Sequence, residues 1–176
     1  MEDQPSTISA ELLSLTYGAF ISQIVKDYED VTEINKQIDL LGYNMGLRLV
    51  EDYLSKTHTR GIKSFQATCQ DVASKAFPMY TGVEASVENW NSDEQSCILR
   101  FTNNPLTLYV EIPDELKGIH YSGVYCGVIR GALEMIHMKV ECVFKEDMLL
   151  GAPANEIKIR FIEYLDDSTQ YMLDDE

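Results

Sequence analysis

Apolar residues recur at helical spacing over residues 10–29, at Leu13, Tyr17, Phe20, Ile24 and Tyr28, which predicts an amphipathic helix. A second stripe of Leu12, Leu15 and Ala19 predicts that this helix is buried on more than one side. Asp30 or Thr32 then caps a second helix, whose stripe runs Ile34, Ile38, Leu41, Met45, Leu49 and Tyr53. Two long helices with so short a link read as an αα-hairpin. Residues 55–63 break the period and read as a loop. Ser64 caps a third helix with Phe65, Cys69, Val72, Ala73, Ala76 and Tyr80 facing inward, and Pro78 ends or kinks its last turn.

From Gly82 the period changes to two. Val83, Ala85 and Val87 alternate with Glu84, Ser86 and Glu88, and Ser96–Phe101 supplies a second strand across a polar loop at Asn89–Gln95. Asn103-Asn104-Pro105 is a turn signal, and Leu106–Ile112 reads as a further extended segment. Helical spacing returns over Ile119–Ile136, with Tyr121, Val124, Val128, Ala132 and Met135 on one face. Two alternating runs follow, at Met138–Phe144 and Ile157–Phe161, joined by a surface loop over Glu146–Asn155. Three helices, a hairpin, a helix and a second hairpin predict an α+β fold, with helices packed on a small antiparallel sheet. Residues 10–165 read as one domain, between a flexible N-terminus (1–9) and an acidic C-terminal tail (166–176) that holds five carboxylates and no basic residue.

Glycines interrupt the helical stretches at one-turn intervals: Gly42 and Gly46 in the second helix, then Gly123, Gly127 and Gly131. Each costs an exposed helix roughly 1 kcal/mol relative to alanine. Glycines four apart share a face. Close helix packing is the plainer reading of these stripes, and a space kept open for a slender ligand is the sharper one.

Composition narrows the function classes. With 14 Lys+Arg against 29 Asp+Glu the formal charge is -15, which repels phosphate backbones and argues against nucleic acid as a partner. Lys56, His58, Arg60 and Lys63 are too few to reverse this and read as a solvated loop. The acidic start Met1-Glu2-Asp3-Gln4-Pro5 is not a secretory signal, and no apolar run reaches the length of a membrane span. Cys69, Cys97, Cys126 and Cys142 show no CxxC spacing and read as reduced, mostly buried thiols of a cytosolic protein. His58, His120 and His137 fall in different elements and form no metal motif. No GxSxG, P-loop or GxGxxG is present. Glu51-Asp52 and Glu134 read as solvated faces, with Arg130 and Glu134 paired one turn apart. The expectation is a protein with no catalytic residues, no metal and no enzymatic activity of its own.

Several cassettes are similar to a known family. Glu11–Ala19, Lys26–Glu29, Asn35–Asp39, Gly42–Leu54, Asn104–Leu106, Cys126–Met135 and Glu156–Ile162 resemble, in order and spacing, the Bet-three-type subunits of the transport protein particle, TRAPP. The resemblance implies a non-catalytic scaffold subunit of a vesicle-tethering complex. That complex promotes nucleotide exchange on an early-secretory Rab GTPase in ER-to-Golgi transport and engages the COPII coat. It implies paralogous TRAPP-type subunits as partners, in a homodimer or heterodimer formed through the first two helices. The dimer face would then comprise Tyr17, Phe20, Ile24, Ile38, Leu41 and Met45. It also implies a cytoplasmic protein, peripherally associated with cis-Golgi and ER–Golgi membranes.

The family has an apolar channel for an acyl chain, attached in many members to a cysteine before the third helix. Ungapped alignment of Glu51–Leu54 and Phe77–Tyr80 places Ile62 at that position, so no acylated cysteine is expected there. The small channel-lining position matches Ala76, and Gly127 and Gly131 are taken as further channel residues. A free fatty acid gains roughly 0.8 kcal/mol per buried CH₂ without any thioester, so a non-covalent fatty acid is the one ligand expected. The family's tail reaches the GTPase, and here Tyr171, Met172 and Leu173 are the candidates. The competing reading is a lipid- or haem-sensing module of related α+β topology, with His120 or His137 as the haem ligand.

Overall fold

A computed structural model describes residues 8–58 and 64–165. The flexible start placed at 1–9 and the tail at 166–176 therefore lie largely or wholly outside the described residues, as does most of the loop placed at 55–63. Helix α1 (Ala10–Asp27) is capped by Ser9, whose side chain accepts from the Leu12 N–H. Helix α2 (Val31–Thr57) is capped by Asp30, and α3 (Phe65–Asp71) by Ser64. Pro78 does not end the third helix. The chain widens into a π turn over Val72–Ala76 and resumes as α4 (Phe77–Thr81), closed by Gly82 at φ 70°. Proline lacks the N–H of a regular turn, and a widened turn just before it absorbs the mismatch.

The sheet holds four antiparallel strands in the order β1-β2-β4-β3. They are β1 (Ser86–Asn91), β2 (Ser96–Phe101), β3 (Met138–Glu146) and β4 (Asn155–Tyr164). The two hairpins of the sequence reading thus fuse through β2–β4, with Leu99 opposite Ile157. One face buries Cys97, Leu99, Phe101, Ile157 and Ile159 against the helices. The other carries ion pairs, among them Lys158–Glu94 at 2.7 Å and Arg160–Glu141 at 2.6 Å. Residues 106–112 are not a strand. Pro105–Thr107 forms a 3₁₀ turn because the Asn104 side chain accepts from the Leu106 N–H at 3.1 Å, and that carboxamide also receives the Tyr125 hydroxyl.

Helix α5 (Val124–Glu134), preceded by a 3₁₀ turn at Tyr121–Gly123, runs through the middle of the fold. It is buried nearly all round, at Val124, Tyr125, Cys126, Gly127, Ile129, Gly131 and Leu133, so no single face describes it. Its chief partner is α2, whereas α1 and α2 meet over little of their length and make no extended hairpin. The glycines explain the closeness of α2 and α5. A Cβ on Gly42 or Gly46 would run into the α5 backbone at Val124 and Val128. One on Gly127 or Gly131 would run into the α2 backbone at Asp39 and Tyr43. Close packing is therefore the correct reading of these four residues.

Arg130 completes this contact. It does not pair with Glu134 as its spacing predicts. Its guanidinium instead grips Asp39 on α2 through two hydrogen bonds of 2.9 and 2.5 Å and lies 5.3 Å from the Tyr43 ring centroid. Burial first, and then the nearby Glu134 carboxylate, raise the Tyr43 pKa. The geometry across the helices is bidentate, which a one-turn pair on a single helix does not offer. Since both side chains are about one-third exposed, Asp39→Ala is expected to lower stability by about 1–2 kcal/mol. The check is a lower urea midpoint at constant m-value.

Candidate functional site

An apolar cavity of about 500 Å³ lies between α2, the α3–α4 helix and α5. This is within the range of small-molecule sites, roughly 300–1,000 Å³. Leu49 and Tyr53 of α2, Val72 and Ala76 of the π turn, and Val128 and Ala132 of α5 line its length. Small side chains at 76 and 132 leave room that a larger residue would fill. The few polar groups belong to its wall and rim. The Tyr80 hydroxyl sits 2.7 Å from Asp52 Oδ2 and 3.1 Å from the Leu49 carbonyl oxygen. Burial and the Asp52 carboxylate both raise the Tyr80 pKa, so it holds its proton as a donor. Asp52, which also accepts from Lys56 at 2.7 Å, is held below the usual carboxylate range by Lys56 first and then Tyr80. With walls of this kind the site can take a long hydrocarbon and, among the described residues, offers no nucleophile–base pair along it.

Of the residues named from sequence for the channel, Ala76 lines the cavity. Gly127 and Gly131 do not, because their bare Cα atoms are taken up by the α2 backbone. Ile62 lies outside the described residues, as do Tyr171, Met172 and Leu173. The six residues named for the dimer face are not brought to one surface. Tyr17 and Ile38 are core residues, 6% and 1% exposed, and the Tyr17 hydroxyl donates to the Tyr121 carbonyl at 2.5 Å. Phe20 and Met45 are open, at 56% and 43%, with Ile24 and Leu41 half-buried. Met45 also borders the cavity. Sequence reasoning took Leu49, Tyr53, Val72 and Tyr80 as ordinary inward positions. Periodicity marks a residue as facing inward without saying whether the space before it is filled.

The histidines part company. His120 is exposed, and His137, in the left-handed region at φ 63°, lies on the cavity wall. Cys69, Cys97 and Cys126 are buried, and Cys142 is half-buried. Desolvation pushes the Cys126 thiol up to about 12 and drives that of Cys142 well above its ordinary value. At pH 8 both are therefore protonated and poor nucleophiles. Ellman titration of the native protein at that pH is expected to leave Cys126 and Cys142 unmodified until denaturant is added.

Three comparisons bear on this site. The family model described as transport protein particle (TRAPP) component matches residues 13–160. A trafficking protein particle complex subunit 3 of Dictyostelium discoideum is 41% identical over 161 residues, covering 91% of this chain and 87% of the relative. The crystal structure of a trafficking protein particle complex subunit 3 from Naegleria fowleri, covalently bound to palmitic acid, is 43% identical. It superposes with a TM-score of 0.85 over 90% of this chain and 98% of that one. An H-NOX protein from S. oneidensis in the Fe(II)NO ligation state shares the fold alone, at a TM-score of 0.59 and 11% identity over 93% of this chain and 83% of that one.

Proposed function

This chain belongs to the transport protein particle (TRAPP) component family, and from that premise we propose that it is a non-catalytic scaffold subunit of a vesicle-tethering complex. The observation that carries the proposal is its likeness to a complex subunit over nearly the full length of both chains. In this reading the assembly activates an early-secretory Rab GTPase in ER-to-Golgi transport and engages the COPII coat. The chain works in the cytoplasm, held peripherally on cis-Golgi and ER–Golgi membranes by its partners. That attachment is consistent with the described residues, where no helix is long and apolar enough to cross a membrane. The segment at Tyr171–Leu173 is assigned to the GTPase. Affinity purification of the tagged chain followed by mass spectrometry is expected to recover TRAPP-type subunits, and recovery of none would overturn the proposal.

The cavity's role is to hold a fatty acid without a thioester. The palmitate-bound relative and the apolar walls support this. Sixteen carbons at roughly 0.8 kcal/mol per buried CH₂ give ample driving force without covalent attachment. The ligand would strengthen the packing of the α3–α4 helix against α2 and α5, which otherwise leaves these helices facing a gap.

For the subunit interface, the residues with open apolar surface carry the reading. The dimer contact is assigned to Phe20, which is 56% exposed on α1. Phe20→Glu is expected to shift the protein from dimer to monomer in light scattering at micromolar concentration, with its circular dichroism unchanged. An unaltered dimer would place the interface elsewhere.

A further inference from the structure

The cavity between α2, the α3–α4 helix and α5 has a polar corner. Thr68 and Asp71, three residues apart on α3, both line it. At that spacing two helical side chains stand about 5–6 Å apart at their Cβ atoms. Other hydroxyls of the lining are committed within the fold. Tyr17 donates to the Tyr121 carbonyl, Tyr125 to Asn104, and Tyr80 to Asp52.

Thr68 differs from them. Helical hydroxyls at Thr57, Ser74 and Thr81 turn back on the carbonyl four residues earlier. The Thr68 hydroxyl makes no such bond, nor any other among the described residues, although the residue is only 6% exposed. Its oxygen is not sealed off, and the space it meets is the cavity that the residue lines. Buried hydroxyls are nearly always paired, so this one suits a ligand.

Asp71, with a side chain 18% exposed, accepts from Lys75 at 2.9 Å, and Lys75 itself is 54% exposed and outside the lining. A carboxylate accepts at about four lone-pair positions, so one ion pair leaves capacity for a further donor. Charge then discriminates among the heads that an acyl ligand can carry. A carboxylate here would meet Asp71 with like charge in an apolar surround. An ammonium would meet Lys75. A hydroxyl suits both lining residues, because it donates one hydrogen bond and accepts another.

Resting on the reading that this cavity holds an acyl chain, we propose that the ligand's polar end lies between Thr68 and Asp71 and is an uncharged hydroxyl. A fatty alcohol, a monoacylglycerol and an un-ionised fatty acid all carry that group. It donates to the Asp71 carboxylate and accepts from the Thr68 hydroxyl.

Displacement of Nile red from the full chain at pH 8 tests this with three probes of one chain length: 1-dodecanol, its methyl ether and dodecanoate. Dodecanol is expected to bind about tenfold more tightly than the ether, which cannot donate, and than dodecanoate. Thr68→Val should weaken dodecanol about tenfold. Asp71→Asn, which replaces the charge with an amide donor, should strengthen dodecanoate about tenfold. Equal affinity for alcohol and ether, or dodecanoate binding unchanged by Asp71→Asn, would overturn the proposal and leave the cavity reading standing. The alcohol–ether comparison needs only the parent chain, so it decides even if a variant misfolds. Ala76→Phe, which fills the cavity, should abolish binding of all three. Binding that survives it, or no binding by the parent chain, would overturn the cavity reading and this proposal with it.

Discussion

Gly127→Ala is expected to cost about 3 kcal/mol of folding stability, although alanine is the better helix former by roughly 1 kcal/mol. The added Cβ would meet the Asp39 carbonyl and the Tyr43 main-chain nitrogen of α2. A side chain could rotate away, whereas backbone atoms yield only if the whole helix moves. Moving α2 would also disturb the Arg130–Asp39 pair and the facing contacts at Gly42 and Gly46. Gly123, four residues earlier in the same ladder, supplies the control. There a Cβ would meet the His120 Cβ at 3.3 Å and the Ile38 Cγ2 at 3.8 Å, so Gly123→Ala is expected to be nearly neutral. Urea unfolding of the two variants followed by circular dichroism measures the difference. Equal midpoints would mean that α2 and α5 stand further apart than described.

Ile62→Cys is expected to turn an unacylated protein into one carrying a thioester-linked palmitoyl group in cells. Ile62 lies outside the described residues, so the expectation rests on the family's cysteine position and on the cavity itself. The cavity keeps small side chains at Ala76 and Ala132. Intact-mass spectrometry should show one added acyl group, lost on treatment with hydroxylamine, while the parent protein shows no such adduct. Ala76→Phe in the Ile62→Cys background should prevent the modification by filling the channel. Acylation that persists with phenylalanine at 76 would place the acyl chain outside this cavity.

What the sequence disclosed follows from the range of the forces involved. The caps depend on a side chain and amides two or three residues away, so Ser64 was legible and the other was narrowed to Asp30 or Thr32, of which Asp30 is the cap. So were β2, β3 and β4, whose alternation reflects one buried face. The start of β1 was not. Val83 and Ala85 continue the alternation, yet pairing begins only at Ser86 opposite Arg100. Residues 106–112 are apolar enough for a strand, but the Asn104 carboxamide turns the chain first. Arg130 was assigned to its own helix because the sequence does not reveal that Asp39 lies opposite. The cavity was foreseen only through Ala76 and the family resemblance. A stripe such as Leu49–Tyr53 looks the same whether it meets packed side chains or an open channel.

The α2–α5 contact also bears on how this chain tolerates change. In an ordinary core, an oversized substitution is relieved when a neighbour loses a methyl group, so compensating pairs are common. At Gly42, Gly46, Gly127 and Gly131 the opposing atoms belong to the main chain, and nothing there can be trimmed. A genetic screen for suppressors of Gly127→Ala should therefore recover true revertants or distant stabilising changes, and no partner substitution on α2.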